Sequence, residues 1–433
     1  MIVSPVNLLG LNARNHLFLS TNKKEGRRIA DSKLLTKRIL RKNHLATPAI
    51  LAIFRTPRDI MNFPWETLPN NFVLKPSKGF GGQGVVIVKK KAKWAGEWHL
   101  MDGSLITTRD LRFHALEILS GRFSLHNGSD IAFIEERIKI QKIFAKYVWH
   151  GVPDIRIVVF NKIPVVAMLR LPTRESQGKS NLHQGAIGVG VGLATGISTY
   201  GILNGRFIKF IPETKRKING LKIPQWDNIL TLAVRAQEAV PMLGYFGVDI
   251  VLDKERGPMI LELNARPGLE IQNANLSPLK KRLERVEGLE VKDAEHGVRI
   301  AKALFAERFA DRVMAEEGIK TIKVWENVKI VTGDKKKVEV KAKVDTGAWK
   351  TSLDKDLAEK LGILKASNVL WTKTYKSSLG EEKRQVINLT FFLAGRKIET
   401  IANIASRKNL RTPLIIGRRD LDGFLIKPER IQL

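Results

Sequence analysis

The sequence of 433 residues contains no cysteine, which excludes disulfide bonds, thiolate nucleophiles and cysteine-rich zinc sites. Histidine is also scarce, and all eight histidines precede residue 297. The last third of the chain therefore lacks both of the side chains on which zinc sites mostly depend. We expect no typical zinc site there.

Long apolar runs are absent as well. No run approaches the ~18–20 apolar residues that a membrane-spanning helix needs. The first twenty residues have no leading basic residue and are interrupted by Pro5, Asn7, Gly10, Asn12 and Arg14, so they do not form a convincing signal peptide. We therefore expect a cytoplasmic protein, whose length is typical of two or three domains.

Acidic residues are too few to balance the basic ones. The sequence has 43 aspartates and glutamates against 74 lysines and arginines, which gives a formal net charge of +31. A charge of this size attracts polyanions such as ATP, nucleic acid, acidic peptides or anionic lipid surfaces, and it does not choose among them. Because the basic residues are scattered along the chain, a generally solvated basic surface is the alternative.

Two apolar runs joined by a charged turn stand out at residues 248–252 and 259–263, a pattern typical of adjacent strands. Because side chains alternate along a strand, Glu262 and Asn264 share a face, and Asp249 on the neighbouring strand is expected to meet them. Buried carboxylates need a cation or hydrogen-bond donors, and hard oxygen ligands suit Mg²⁺. We therefore predict a magnesium site at these three residues. The alternative is a pair of ordinary solvated strand ends.

A glycine-rich turn between two short apolar runs, within residues 71–90, is the second strong pattern. Glycine at Gly79, Gly81, Gly82 and Gly84 lets the backbone approach a phosphate closely and turn its N–H groups toward the oxygens. The strand–loop–strand order differs from Walker A and Rossmann loops, which open a helix. We predict that Lys75 points into a nucleotide cleft and binds the α- and β-phosphates. A glycine hairpin without a ligand is the alternative.

Asp249 followed by the run Glu262-Leu-Asn264-Ala-Arg-Pro-Gly268 resembles the metal-binding signature of the ATP-grasp ligases. Over roughly residues 7–275 the chain is most similar, within that group, to the RimK-like α-L-glutamate ligases. These enzymes join an amino acid to a peptide or protein carboxylate. The resemblance implies an α+β fold that holds ATP between two sheets, with Mg²⁺ or Mn²⁺ as the metal.

The same resemblance assigns roles to residues outside these two patterns. Lys33 lies in a helical pattern over residues 26–45, where Asp31 or Ser32 is a plausible N-cap. By the resemblance, Lys33 would contact a phosphate. Glu136, at the end of an apolar strand, would hold the adenine, and Asp154 would accept hydrogen bonds from the ribose hydroxyls. Arg170 and Asn181 match positions that contact the phosphates and an acyl-phosphate intermediate, where preorganised donors stabilise the developing charge.

One segment departs from the resemblance. Residues 141–153 are longer than expected for a RimK-like protein, which affects the assignment of the ribose contact.

A second pair of motifs lies near the C-terminus. An alternating run ends in Asp345-Thr-Gly347-Ala, and about seventy residues later the sequence reads Pro413-Leu-Ile-Ile-Gly417-Arg-Arg-Asp. The pair resembles the retropepsin-like aspartic peptidases, with Asp345 as the catalytic residue. It is closest to bacterial members often labelled ATP-dependent zinc proteases and linked to RimK-like ligases. An aspartic dyad needs two carboxylates, so the single motif implies a homodimer; a catalytically silent binding domain is the alternative.

Together these patterns predict an ATP-grasp ligase domain at 1–295, a helical linker at 296–321 and a small, mostly-β retropepsin-like barrel at 322–433. The predicted function is ADP-forming joining of a carboxylate and an amine, with the second domain trimming the product. Expected partners are an amino acid and a peptide or protein substrate.

Two other functions fit the sequence. One is a basic RNA- or ribosome-binding protein with a regulatory nucleotide site, against which the sparse aromatic residues beside the basic runs count. The other is a peptidase whose N-terminal domain senses ATP.

Overall fold

In the computed structural model, the described residues are 8–79, 81–124, 128–212, 214–306, 320–377, 380–407 and 411–427. The chain divides into two compact units, Met1–Gly288 and Leu289–Leu433. Among the described residues, no helix has the length and apolar character needed to cross a membrane.

The first sheet of the N-terminal unit carries the glycine-rich turn. Its strands are β1 (Ile50–Phe54), β2 (Phe72–Pro76), β3 (Val86–Lys91), β4 (Glu97–Leu100), β5 (Leu105–Thr107) and β6 (Ala132–Glu136). All neighbours are antiparallel, in the order β1-β6-β2-β3-β4-β5. Phe72, Trp65 and Trp98 are buried in the apolar cluster of this sheet, to which helices α4 (Pro57–Asn62) and α5 (Thr108–Leu119) contribute.

Among the described residues, three α-helices come before this sheet: α1 (Leu11–Leu17), α2 (Lys24–Ala30) and α3 (Lys33–Lys42). The helical pattern predicted over 26–45 is thus divided between α2 and α3. The division occurs because Ser32 is the N-cap of α3, its hydroxyl accepting the Leu35 N–H at 3.3 Å. The backbone N–H of Lys33 donates to the carbonyl of Ser77 at 2.9 Å, which fixes the start of α3 beside the glycine-rich turn.

The second sheet of the N-terminal unit contains the predicted hairpin. Its strands are β7 (Asp154–Phe160), β8 (Ile163–Leu171), β9 (Ile187–Val191), β10 (Ser198–Leu203), β11 (Arg206–Ile208), β12 (Tyr245–Asp253) and β13 (Gly257–Asn264). They are antiparallel in the order β11-β10-β9-β8-β7-β12-β13. Strands β8 and β12 are buried along their whole length, which places their charged side chains in a low-dielectric interior.

Helix α6 (Trp226–Ala239) packs on the central strands of this sheet, as its apolar periodicity predicts. Helices α7 (Glu270–Ala274) and α8 (Leu279–Val286) follow the hairpin and contact β8. They complete the N-terminal unit.

The C-terminal unit is a β-barrel. Its elements are α9 (Ala294–Leu304), β14 (Lys320–Lys323), β15 (Trp325–Val331), β16 (Lys337–Asp345), β17 (Ser352–Asp354), α10 (Lys355–Lys360), β18 (Val369–Ser377), β19 (Gly380–Leu393), β20 (Arg396–Ala405), β21 (Leu414–Gly417) and β22 (Phe424–Lys427). Strands β15-β16-β21-β17-β20-β19 form a ring that the pairing of β15 with β19 closes. Strand β18 extends the sheet beyond β19, while β14 and β22 form a separate parallel pair.

This ring confirms the small, mostly-β barrel that the sequence predicts, and its interior holds apolar side chains such as Val328, Phe391 and Ile416. The helical linker predicted at 296–321 overlaps α9, which begins at Ala294 and ends at Leu304. Residues 307–319 lie outside the described part of the chain.

Candidate active site

The predicted site residues of the second sheet lie on four adjacent strands, β8, β7, β12 and β13. The ladder places Asp154 opposite Arg170 and Arg156 opposite Asp249. Asp249 is in turn opposite Glu262, next to an irregularity in the pairing of β12 with β13. The sheet therefore brings oppositely charged groups together from distant parts of the sequence.

Two arginines bind the buried carboxylates in this row. Arg156 donates to Asp249 through Nε (2.7 Å to Oδ1) and Nη2 (2.6 Å to Oδ2). Arg170 forms a similar bidentate pair with Asp154, in which Nε and Nη2 donate to Oδ1 and Oδ2, each at 2.6 Å. The same Nη2 also donates to Oδ2 of Asp249 at 2.6 Å. Such paired, parallel bonds are the strong form of charge-assisted hydrogen bond.

These contacts set the charges of the site. Burial by itself would raise the pKa of Asp249, but the guanidinium groups of Arg156 and Arg170 outweigh it and hold the pKa well below its usual value. Asp154 shares Arg170 with Asp249, and its burial, reinforced by the negative charge of Asp249, raises its pKa. Asp249 is therefore the carboxylate that stays ionised.

The donor set fits a hard divalent cation. An ionised carboxylate offers about four acceptor positions, and Asp249 uses three of them on arginine N–H groups. Glu262 is about a third exposed and offers its oxygens more freely. Asn264 is opposite Gly247, and its Oδ1 accepts the N–H of Arg266 at 2.8 Å.

These two carboxylates and one amide oxygen are of the type that suits Mg²⁺ or Mn²⁺. No group of three acidic, histidine or cysteine side chains in the described part of the chain could hold a metal, so this set depends on the amide of Asn264 as its third ligand.

The glycine-rich turn is bound by two of the predicted site residues. Lys33 Nζ donates to the carbonyl of Gly79 at 2.8 Å and lies 3.5 Å from Oε2 of Glu262. Asn181 Nδ2 donates to the carbonyl of Gly81 at 2.8 Å. The turn is thus connected both to helix α3 and to the hairpin that carries the predicted metal ligands.

Lys75 is not exposed but takes part in a buried three-residue cluster. Its ammonium pairs with Oε1 of Glu135, and Lys37 Nζ lies 2.9 Å from Oε2 of the same carboxylate. Burial lowers the pKa of Lys37 to about 8. Burial tends to raise the pKa of Glu135, but the two lysines more than offset this and lower it. The cluster joins helix α3 to strands β2 and β6.

Glu136 lies at the end of β6, where the resemblance implies adenine binding. Its Oε1 accepts the N–H of Ala49 at 2.7 Å and pairs with Arg256. The Glu136 N–H in turn donates to the carbonyl of Ala49 at 3.0 Å. The carboxylate is partly exposed, so it can still accept a further hydrogen bond.

Two residues of this site were missed in the sequence: Arg156 and Glu135. Arg156 follows Asp154 by two positions on one strand, so the alternation of side chains could have placed both on one face. Glu135 has no local signal, because its partners Lys37 and Lys75 come from α3 and β2.

The C-terminal unit holds a separate candidate site at the end of β16. Asp345 Oδ1 accepts the N–H groups of Gly347 (3.0 Å) and Ala348 (3.3 Å), and Lys343 Nζ lies 3.5 Å from Oδ2. Burial would raise the pKa of Asp345, but these donors outweigh it and lower the pKa. The carboxylate is therefore ionised at neutral pH in this structure.

The second motif of this unit packs directly against the first. Strand β21 is parallel to β16 with Gly417 opposite Asp345, and the N–H of Arg418 donates to the carbonyl of Ala348 at 2.8 Å. A Cβ at Gly417 would lie only 2.5 Å from the Lys350 carbonyl carbon, so the close approach requires glycine. The pairing that the retropepsin-like resemblance implies is thus present.

A family model described as sugar-transfer associated ATP-grasp matches residues 12–288, well over half of the sequence. The chain belongs to this family. Membership confirms the predicted ATP-grasp α+β fold of the N-terminal unit and implies ATP and a divalent metal. The model's description concerns sugar transfer, so the RimK-like assignment stays a prediction.

Several solved structures are similar to this ATP-grasp protein. D-alanine–D-alanine ligase from Bacillus anthracis is 17% identical, with 69% of this chain and 72% of that one covered and a TM-score of 0.31. The ATP-grasp ligase PsnB, complexed with a minimal precursor, is 15% identical over 61% of this chain and 62% of its own, with a TM-score of 0.33.

A protein of unknown function from Legionella pneumophila is 19% identical over 25% of this chain and 93% of its own, with a TM-score of 0.18. No curated protein matches the chain.

Proposed function

We propose that the N-terminal unit is an ADP-forming carboxylate–amine ligase, similar in reaction to the RimK-like α-L-glutamate ligases. The observation that carries the proposal is the position of Lys33. Its Nζ is 2.8 Å from the carbonyl of Gly79 and 3.5 Å from Oε2 of Glu262, so one ammonium group adjoins both the glycine-rich turn and the metal hairpin. A triphosphate between the two would meet backbone N–H groups, a lysine and oxygen ligands for its cation.

The proposed roles are those that the resemblance and the sequence patterns assign. Lys33 and Lys75 bind phosphates, and Glu136 binds the adenine. Asp154 keeps its predicted contact with the ribose, although both of its oxygens are bound by Arg170 in this structure. Asp249, Glu262 and Asn264 would hold Mg²⁺ or Mn²⁺, which neutralises phosphate charge when bound.

The proposed reaction has two steps. First, a substrate carboxylate oxygen bonds to the γ-phosphorus of ATP while the bond from that phosphorus to the bridging oxygen breaks, which releases ADP. Second, an amine nitrogen attacks the acyl carbon, forms the amide and expels phosphate, and the amine proton passes to solvent. Negative charge grows on the transferred phosphoryl group and then on the acyl oxygen, where Arg170 and Asn181 are the proposed donors.

We assign the C-terminal unit a peptidase role on the same kind of amide. The support is Asp345 at the end of β16 with Gly417 directly opposite on β21. A dyad would require the Asp345 of a second copy of the chain. A purely binding role for this unit, and an ATP-sensing role for the first, are the competing interpretations.

The experiment is a screen of amino-acid and peptide pairs for ADP release, with mass spectrometry of the product. The proposal expects at least one pair to give stoichiometric ADP, phosphate and a product whose mass corresponds to loss of one water. The Glu262→Gln variant is the negative control, and it should release no ADP. ADP release that no carboxylate stimulates, or that Glu262→Gln retains, would overturn the ligase assignment.

A further inference from the structure

A basic hairpin at one edge of the second sheet has no part in the proposed ligase site. Strands β10 and β11 pair antiparallel, and the chain continues beyond β11 until Phe210 forms a bridge with Lys217. The chain then folds back so that Leu221 lies beside the start of β10, where the N–H of Ser198 donates to the carbonyl of Leu221 at 2.9 Å. The result is a two-stranded hairpin with an irregular segment folded back along it through isolated bridges, which we name the edge meander (residues 198–212 and 214–222).

Three aromatic rings on the edge meander are exposed. The solvent-accessible fractions of Tyr200, Phe207 and Phe210 are 52%, 58% and 47%. Exposed rings concentrated in one short segment are unusual, since a large apolar side chain gains free energy when it is covered. They indicate that this edge contacts a partner.

The same segment is strongly basic. The sequence from 198 to 222 has one acidic residue, Glu213, and six basic ones: Arg206, Lys209, Lys215, Arg216, Lys217 and Lys222. Within the described part of the chain, neither Arg216 nor Lys217 forms an ion pair. Their charges are available to an anion.

A cavity of about 450 Å³ lies between the edge meander and the segment 143–147. Lys146, Tyr147, Arg216, Lys217 and Lys222 are among its lining residues. The cavity falls within the ~300–1,000 Å³ typical of ligand sites, and its lining includes none of the residues assigned to the ATP site. Residues 143–147 belong to the insertion that the RimK-like resemblance leaves unexplained.

We propose that the edge meander and this cavity form a binding surface for single-stranded RNA. Cationic side chains beside exposed rings are the combination that binds a sugar–phosphate chain and stacks its bases. The acidic side chains of a peptide would satisfy the cations but would not stack on the rings, whereas every nucleotide of RNA carries both a phosphate and a base. A flat anionic bilayer would cover the rings but would not enter the cavity.

The test measures fluorescence anisotropy of a labelled single-stranded RNA of about 16 nucleotides, with the full chain at salt concentrations from about 50 to 200 mM. The double variant Arg216→Ala/Lys217→Ala should reduce the slope of log K against log salt by about 1.4, because each single-strand phosphate contact contributes about 0.7. The double variant Phe207→Ala/Phe210→Ala should weaken binding about fivefold or more for each ring, with the slope unchanged.

The matched control is Lys89→Ala/Lys90→Ala, which removes the same charge from exposed positions on β3. It should leave both affinity and slope near those of the original chain. The proposal is overturned if this control weakens RNA binding as much as Arg216→Ala/Lys217→Ala does. It is also overturned if anionic phosphatidylglycerol vesicles or poly-glutamate bind more tightly than RNA and respond to the same variants.

Discussion

At the scale of single residues, the site contains two kinds of charged side chain. Some are buried and stabilise the fold, and others are partly exposed and can bind a ligand. Asp249, Asp154, Arg156 and Arg170 are all largely buried and bind one another through short bonds. Removing one partner of such a buried set leaves an uncompensated charge, which costs about 3–5 kcal/mol. Glu262 is different, because it is about a third exposed and its nearest cation, Lys33, is 3.5 Å away.

This difference predicts that Glu262→Gln impairs catalysis without impairing the fold. We expect kcat/KM for ADP formation to fall at least ~100-fold (about 2.7 kcal/mol or more), since a ligand of the phosphate-bound cation is lost. The melting temperature should change by only a degree or two. Glu255→Gln is the control, because Glu255 pairs with Lys139 on the exposed surface, and it should retain full activity. Equal losses in both variants would contradict the assignment.

At the scale of elements, the glycine-rich turn depends on the close approach of Gly84 to Phe123, in the segment that follows α5. Gly84 has a φ of +70°, and a Cβ there would lie 2.6 Å from the ring of Phe123. We therefore predict that Gly84→Ala distorts the turn and weakens nucleotide binding at least tenfold, as measured by calorimetric titration of an ATP analogue.

The control variant is Gly103→Ala, which introduces the same left-handed backbone strain as Gly84→Ala without a steric clash. Gly103 also has a positive φ, of +93°, but a Cβ there would meet no atom within 4 Å. The Gly103→Ala control should bind nucleotide within about twofold of the original chain. Its only expected cost is the ~1 kcal/mol of a left-handed backbone conformation, which lowers the stability of the fold and not the affinity for nucleotide. If Gly84→Ala binds nucleotide as tightly as this control, the glycine-rich turn does not take part in nucleotide binding.

The cluster that joins α3 to β2 and β6 predicts a specific dependence of stability on pH. Burial lowers the pKa of Lys37 from 10.5 to about 8, so between these values the unfolded chain holds a proton that the folded chain has released. The free energy of unfolding should therefore rise with pH through this interval, by on the order of 1–3 kcal/mol. Chemical denaturation of the original chain and of Lys37→Met, compared at each pH, isolates this contribution.

The control for Lys37 is the exposed Lys42 on the same helix. Lys42→Met should show the same rise as the original chain, whereas Lys37→Met should lack it. A stability difference between the original chain and Lys37→Met that stays flat from pH 8 to 10.5 would mean that Lys37 keeps its ordinary pKa in the fold.

Local patterns predict individual elements of this fold better than the contacts between them. The apolar runs at 248–252 and 259–263 become β12 and β13, with Asp249 and Glu262 opposite each other. Ser32, one of the two N-cap candidates that the sequence offers, is the N-cap of α3, because a hydroxyl just before a run of apolar helical periodicity is a local signal. Glu135 could not be assigned at all, since both of its lysine partners are remote in sequence.

At the scale of the whole molecule, the chain joins an ATP-grasp unit to a β-barrel unit. If the second unit is the proposed peptidase, Asp345→Asn should abolish cleavage of isopeptide-linked products while ADP formation by the first unit is unchanged. Specific cleavage activity should also rise with protein concentration, because the dyad needs two copies of the chain. Cleavage that persists in Asp345→Asn would exclude an aspartic mechanism at this residue.

The net charge of +31 does not by itself show where on the molecule a polyanion would bind. In the sequence, aromatic residues beside basic runs look sparse, which counts against RNA binding. The fold gathers Tyr200, Phe207 and Phe210 with six basic residues on one meander. All nine residues lie within positions 200–222, so their proximity is local in the sequence, and the fold adds the solvent exposure of the three rings.

The most direct test of the central claim, that a carboxylate is phosphorylated at this site, is an oxygen-transfer measurement. The carboxylate substrate found in the ADP-release screen is labelled with ¹⁸O, and the phosphate released on amide formation is examined by mass spectrometry. An acyl-phosphate route predicts one ¹⁸O atom in each phosphate, because the bond between acyl carbon and oxygen breaks in the second step. Phosphate without label, formed together with the amide, would contradict the account.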